Sequence, residues 1–421
     1  MSSGEPAEYS QRPSRGRLAG VFALVTCTFA TVYVTQPVLP ILRAQFGVSP
    51  SSASLTVSAV ILGMALATLP IGALADRHRT TTMMLAGGAT VALTSGLCAI
   101  SESFPVLVAL RFVQGAAIPA LTTSIAAWLA RMLPPQALNV AMGTYVSATV
   151  AGGLGGRLLA GWAFDPAHWR DAFVAAAVAL GAFTLLAAWR LPEPVPSVSG
   201  RRATRGWRPR ESAPVVPPLT WARLLARCAQ WLSGLAAFGA FGAFSTLFNY
   251  FPFRLSNPPW NLSTAAITSL YVVYVAGLVM GPFAGRLANR FGNGAVMAAG
   301  ALVLVAALVL TFVSTMPALI TSLVLSCAGF FAVHASAVGA LNRDAADARG
   351  RANALYTLFY YAGGAVGIAI AGVLYARFDW AGVIAICGVL AILPMAAGLA
   401  FGASRVPAAS RSQARIERRR T

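Results

Sequence analysis

Lysine is missing from this 421-residue sequence, and all 31 of its basic residues are arginine. That absence excludes a nucleotide-binding loop of the Gly-x4-Gly-Lys-Ser/Thr type, whose lysine reaches the terminal phosphates. The all-arginine cation set otherwise reads as compositional bias and carries no mechanism. Polar residues in general are scarce: 10% of positions are charged against 57% hydrophobic, and the mean hydropathy is +0.70. A chain of this length with so little polar surface cannot clothe a water-soluble globule. Of the 12 acidic residues, every one lies in a tail, a loop or the end of an apolar run, so no carboxylate stands deep within a hydrophobic segment. The 5 cysteines, Cys27, Cys98, Cys228, Cys327 and Cys387, are odd in number and show neither a CxxC pair nor Cys/His ligand spacing. They read as inert packing thiols, and no metal site is expected.

What the chain has in abundance is long apolar runs. A helix needs ~20 apolar residues to cross a ~30 Å hydrocarbon core, and only structures that satisfy their own backbone can do so. Twelve runs qualify, from Leu18–Leu42 through Asn139–Ala163, Thr264–Leu287 and Ala352–Ala376 to Ala381–Phe401. A net charge of +19 in a soluble protein would suggest nucleic acid. Here the arginines occupy the gaps between runs and the two tails, so no nucleic-acid partner is expected. Placing the N-terminus inside assigns 25 of the 31 arginines to the cytoplasmic side, which fixes the expected orientation with both termini cytoplasmic. The expected organisation is a tail over 1–17, a six-helix bundle over 18–191, a Pro- and Arg-rich linker over 192–227, a second bundle over 228–403 and a basic tail over 404–421. The first run is of full length and lacks a small-residue cleavage site, so it reads as a retained span.

The halves repeat. A shift of 211 aligns Tyr145 with Tyr356, Gly152 and Gly153 with Gly363 and Gly364, Gly156 with Gly367, Gly161 with Gly372, and Trp169 with Trp380. Near a shift of 213, Gly72-Ala-Leu-Ala-Asp76-Arg77 matches the loop expected after the eighth run, Gly285-Arg-Leu-Ala-Asn289-Arg290. A duplicated six-helix unit explains this economically, and such repeats place a substrate site between the halves near the midplane.

These residues resemble the major facilitator superfamily over essentially the whole chain. Gly72-Ala-Leu-Ala-Asp76-Arg77-His78-Arg79 is similar to that family's Gly-x-x-x-Asp-Arg-x-Gly loop, with Arg79 replacing the second glycine. The second copy restores the glycine as Gly292 but has Asn289 for the aspartate. Arg111-Phe-Val-Gln114-Gly115 is similar to the family's Arg-x-x-Gln-Gly motif. The antiporter motif of the fifth span survives only as Gly155-Gly156 and lacks its proline, which weakens the case for antiport. Tyr33-Val-Thr-Gln36-Pro37, Gly155-Gly156-Arg157-Leu158, Phe330-Phe331-Ala-Val-His334 and Tyr360-Tyr361 resemble the bacterial acriflavine-sensitivity, drug-efflux-like subgroup. The resemblance implies an all-α membrane protein of twelve transmembrane helices in two six-helix halves. It also implies that Gly72, Asp76, Arg77, Gly285, Asn289 and Arg290 gate the cytoplasmic side, and that the first, fourth, seventh and tenth spans line the cavity.

On that basis Tyr33, Gln36, Asn249 and Tyr250 are expected to contact substrate, with interfacial belt positions the alternative for the tyrosines. Tyr356 and Tyr360 join them as candidates. His334 is the expected protonation switch, since histidine alone has an unperturbed pKa near neutrality; a neutral histidine bonded to a neighbouring helix is the alternative. Arg111, about 10 Å below the outer surface at ~1.5 Å per residue, holds an anionic substrate group, tunes a titrating neighbour, or is tied to backbone carbonyls and Gln114. Arg157 is expected to snorkel at the outer end of the fifth span. Gly277, Gly281 and Gly285 read as a helix-packing face. The expected function is a secondary transporter, not an enzyme, that exports a small amphipathic solute, with no cofactor and a proton gradient as its energy source. It is expected to act as a monomer in the bacterial inner membrane. An uptake carrier or facilitator is the alternative, and a non-transporting membrane sensor a remoter one.

Overall fold

The computed structural model describes residues 13–75, 77–164, 166–191, 224–345 and 349–403. Asp76, most of the expected linker, the basic tail and the first twelve residues lie outside the described residues.

With no water to take its backbone groups, each apolar run closes its own hydrogen-bond ladder as a helix. The first span is α1 (Arg15–Tyr33) followed by α2 (Leu39–Phe46). After it come α3 (Pro50–Ala75), α4 (Thr80–Ile100), α5 (Phe104–Met132), α6 (Pro135–Leu158) with a closing π turn over Leu159–Ala163, and α7 (Trp169–Arg190). The second half opens with α8 (Cys228–Leu255). Its next span is α9 (Thr264–Leu270), a tight 3-10 turn over Tyr271–Tyr274, and α10 (Val275–Phe291). Then follow α11 (Asn293–Leu310), α12 (Met316–Asp344) and α13 (Arg349–Ala403). At 55 residues α13 would be roughly 80 Å long, too long for one crossing. It bends at Asp379, whose φ of 49° and ψ of −139° are not helical. Beyond the bend, a Cβ on Gly382 would overlap the carbonyl group of Leu374. Two spans therefore lie within α13, and the twelve-helix architecture expected from sequence is the one observed, with no strand among the described residues.

Two expectations about elements are corrected. The first run is not one helix, because Pro37 lacks an N–H and its ring crowds the carbonyl four residues back, so α1 stops at Tyr33 and α2 starts only after the proline. The segment Gly285–Arg290 is not a loop, because α10 runs on to Phe291 and ends at Gly292, whose φ of 88° favours a residue without a Cβ.

Side chains near the helix ends tie neighbouring spans within each half. On the face that carries α1's start, Arg131 Nη1 donates to Thr80 Oγ1 at 3.1 Å and Asn353 Nδ2 to Asn342 Oδ1 at 2.7 Å. On the opposite, distal face the repeat-related tryptophans act alike. Trp169 Nε1 donates to Gln45 Oε1 at 2.7 Å and Trp380 Nε1 to Thr311 Oγ1 at 3.0 Å, each inside its own half.

Packing between the halves is lopsided. One buried cluster is built from first-half residues such as Val21, Leu24, Met64, Ile125 and Trp128, with Tyr361 leaning on it. A larger one joins the second half to the distal ends of the first, through Val34, Leu39, Val57, Leu107, Trp169 and Phe173. A Cβ on Gly161 would lie 2.9 Å from Thr268 Cβ, and one on Gly372 would lie 2.8 Å from both Ser51 Cβ and Tyr250 Oη. Those two glycines correspond across the repeat, and each seats one half against the other. Toward the terminal face, Gly72, Gly143, Gly281 and Gly285 have open space where a Cβ would go. The seam is closed distally by glycine contacts, and the glycines named toward the face bearing the termini make no such contact. The expected packing face on the eighth span is accordingly corrected: Gly277 packs against Phe331, whereas Gly281 and Gly285 face open space.

Candidate functional site

Two buried arginines organise the first half in different ways. Arg111 on α5 is fully buried. Its Nη1 donates to Thr31 O at 2.6 Å and to Gln114 Oε1, its Nη2 to Val32 O at 2.5 Å, and its Nε to Thr56 O at 2.8 Å. Gln114 in turn donates to Ser95 Oγ at 2.6 Å. Thr31 and Val32 belong to the last turn of α1, where the break at Pro37 leaves carbonyls without helical donors and where the helix dipole favours a cation. Arg111 therefore caps the interrupted first span from inside its own half. Of the readings open in the sequence, the tie to carbonyls and Gln114 is the one its contacts match.

Arg157 lies on the seam. It does not snorkel, as the sequence led us to expect: it is 2% exposed, because the distal closure covers the end of α6. Its Nε donates to Gln36 Oε1 at 2.6 Å and its Nη1 to Gly153 O at 2.6 Å, both in the first half. Its Nη2 donates across to Tyr274 Oη at 3.1 Å. The guanidinium carbon stands 4.0 Å from the Tyr33 ring centroid, 4.4 Å from that of Tyr274 and 5.1 Å from that of Tyr271. A guanidinium attracts the negative faces of such rings.

From this cage an aromatic chain runs through the second half. Phe244 lies 5.3 Å from Tyr274 and stacks on Phe330 at 4.1 Å. Phe330 stacks in turn on the His334 ring at 5.9 Å, and Phe241 stacks on Tyr360 at 3.8 Å. The Tyr356 hydroxyl and His334 Nδ1 share a hydrogen bond of 2.8 Å. Phe241, Phe244, Phe248 and Phe251 recur at helical spacing along α8, and that stripe was readable in the sequence. Arg157 was quoted there too, but the stripe, Tyr271 and Tyr274 were missed. Tyr33, His334, Tyr360 and Tyr361 are only partly buried and form the accessible edge of the cluster.

Other expected residues are distributed unevenly. Gln36 is buried against Arg157, and Tyr33 belongs to the cage. Tyr250 is withdrawn from any cavity, being fully buried with its hydroxyl donated to Ile368 O at 3.1 Å, beside the Gly372 contact. Asn249 is fully buried, and neither its Nδ2 nor its Oδ1 has a partner. On the terminal face Arg77, Asn289 and Arg290 are exposed, while Asp76 lies outside the described residues. A shallow groove of about 360 Å³ along Gly155, Leu158, Leu159, Trp162 and Ala163 shares no residue with the aromatic cluster.

A model of the Major Facilitator Superfamily matches residues 21–273 and 260–420. The chain belongs to that superfamily. It is 28% identical over 405 residues to the inner membrane transport protein YnfM of Escherichia coli, covering 94% of each chain. It is also 28% identical over 366 residues to the MFS-type transporter YybF of Bacillus subtilis, covering 86% of this chain and 87% of the other. Among solved structures, a bacterial homologue of the human lysosomal transporter Spinster, in an inward-facing and unoccupied conformation, superposes with a TM-score of 0.70 at 17% identity, over 94% and 95% of the two chains. The nucleoside transporter NupG superposes with a TM-score of 0.69 at 13% identity, over 92% and 98%. These likenesses agree with the twelve-helix fold. A Major Facilitator chain is a multi-pass membrane transporter and not an enzyme, so the seam between its halves is the place to look for its solute.

Proposed function

We propose that this transporter exports a small amphipathic solute by alternating access, driven by the proton gradient, a reading supported by its resemblance to the drug-efflux-like acriflavine-sensitivity subgroup. The positive-inside distribution of 25 of the 31 arginines favours an inner-membrane orientation with both termini cytoplasmic. The observation that carries the reading is the lopsided seam, sealed at Gly161 on Thr268 and Gly372 on Ser51, with open space at Gly72 and Gly285. In that orientation the molecule is inward-facing and loads from the cytoplasm. Rocking the halves would part the distal glycine contacts and bring the terminal-face ends of α3 and α10 together. A solute can shift such an equilibrium only by binding the two arrangements unequally, and a cluster shared by both halves meets that requirement. His334 serves as the protonation switch, through its bond to Tyr356.

The test is purified protein in proteoliposomes with a pH dye in the lumen. Adding a carried solute to vesicles with an imposed pH gradient dissipates that gradient, and His334→Gln abolishes the coupling. Solute movement indifferent to the gradient would sink proton antiport. It would select the second reading, an uptake carrier or facilitator, which the lack of any acidic residue deep within a span favours.

A further inference from the structure

We infer that the solute is an organic anion, held by Arg157 with its flat apolar body stacked on the tyrosines of the seam. The inference rests on the transporter reading above and names its substrate class. A guanidinium stays charged at any physiological pH, and burying one is costly unless an anion or many dipoles attend it. Among the described residues Arg157 makes no ion pair. What attends it are neutral groups, namely Gln36 Oε1, Gly153 O and Tyr274 Oη, together with the rings of Tyr33, Tyr271 and Tyr274. Those bonds engage three of the five N–H donors that an arginine carries.

Arg111 shows what a purely structural buried arginine looks like in this chain. Its partners are the backbone carbonyls of Thr31, Val32 and Thr56 and the Gln114 side chain one turn along its own helix, all inside one half. Of Arg157's hydrogen-bond partners Gln36 and Tyr274 are side chains, and Tyr274 belongs to the opposite half, so that bond parts whenever the seam opens. An arriving carboxylate can replace them with a charge-assisted, two-pronged bond, which neutral acceptors cannot match.

Electrostatics exclude the opposite class. A cationic solute would meet Arg157's fixed positive charge, and no acidic residue stands deep within a span to draw it in. The surrounding rings supply stacking faces for a planar body. Tyr33, Tyr360 and Tyr361 keep part of their surface accessible, as a stacking platform needs.

The experiment uses the full chain and three matched probe sets. These are aromatic carboxylates (benzoate, salicylate, 1-naphthoate), their primary amides, and the corresponding benzylic or naphthylmethyl amines. Binding is read as the rise in melting temperature of detergent-purified protein, and transport as uptake of labelled probe into proteoliposomes. Carboxylates are expected to stabilise the wild type and amides to do so at least about tenfold less tightly, the worth of one charge-assisted bond. Arg157→Gln should weaken carboxylates by a similar factor and leave amides unchanged. If that variant does not fold, the wild-type contrast between acid and amide decides alone. Equal binding of acid and amide, preference for amines, or silence from all three sets overturns the inference. Amines or amides carried in place of acids would overturn it while leaving the transporter reading intact. Acids bound through Arg157 but never moved would instead overturn transport and keep the anion site.

Discussion

Gln36 and Asn249 stand at the same place in the two halves, related by the register that pairs Gly72 with Gly285. Gln36 accepts from Arg157, whereas both polar atoms of Asn249 are buried without a partner. The register that pairs Gly161 with Gly372 explains the difference, because it puts Ile368 where the first half has Arg157. Only the carbonyl of Ile368 is used, by Tyr250. The converse exchange occurs nearer the terminal face. Tyr145 lies beside Thr122 in the first half, whereas its counterpart Tyr356 bonds His334. Distal contacts survived duplication, since Gly161 and Gly372 both seat the halves and Trp169 and Trp380 both tie helix ends. The polar chemistry around the seam did not: one half has the buried charges, the other the titratable ring and the aromatic stripe.

The largest expected effect tests the two arginines against each other. Arg111→Gln should strip the broken end of α1 of its donors and cost about 3 kcal/mol or more, seen as a lower melting temperature and loss of monodisperse protein. Arg157→Gln removes a residue whose bond to Tyr274 crosses a seam that must open, and it should fold. An Arg111→Gln protein as stable as wild type but inactive would reverse the two assignments. Next in size are Gly161→Val and Gly372→Val. Each side chain would overlap the Cβ of a residue in the other half, Thr268 or Ser51, and overpacking of this kind costs on the order of 1–3 kcal/mol. The distal seal should weaken, shifting the population toward the outward-open arrangement by about tenfold. Spin labels at Arg77 and Arg290, both exposed on the terminal face, should approach one another. A response to only one of the two substitutions would show that the repeat-related contacts are not equivalent gates.

Much of this architecture was legible without coordinates. The twelve spans followed from run length, and the glycine and tryptophan register picked out residues that prove to be contact points. What failed was anything that depends on direction around a helix axis. Rise per residue located Arg157 correctly near a helix end, but it could not say that the closed seam would cover that end, so a buried cation was taken for a snorkelling one. Pro37 stood in plain view, yet the break it causes is stable because Arg111, 74 residues later in the sequence, supplies donors to the freed carbonyls. Tyr250 shared its sequence context with Asn249, but adjacent helical positions point about 100° apart. Its hydroxyl reaches the backbone of α13 instead of a cavity.

The smallest predicted effect is also the most discriminating. Tyr356→Phe and Tyr145→Phe each delete one hydroxyl from equivalent helices, and Tyr356→Phe should cost about 1 kcal/mol of stability, the usual worth of one hydrogen bond. Because Tyr145 lies beside a threonine, which does not titrate near neutrality, Tyr145→Phe should leave the pH profile of transport unchanged. Tyr356 bonds the His334 ring, so the same deletion there alters a bond to a titratable group and should move the midpoint of that profile by roughly half a unit or more. Parallel curves for both variants would mean that His334 is a packing residue in a symmetric pair. Coupling would then have to come from elsewhere or be absent. For an anionic solute its absence would not preclude export, since an inside-negative potential itself drives a monoanion outward by ~2.3 kcal/mol per 100 mV. Setting that potential with potassium and valinomycin, and finding efflux that follows it at constant pH, would separate an anion facilitator from a proton-coupled exporter.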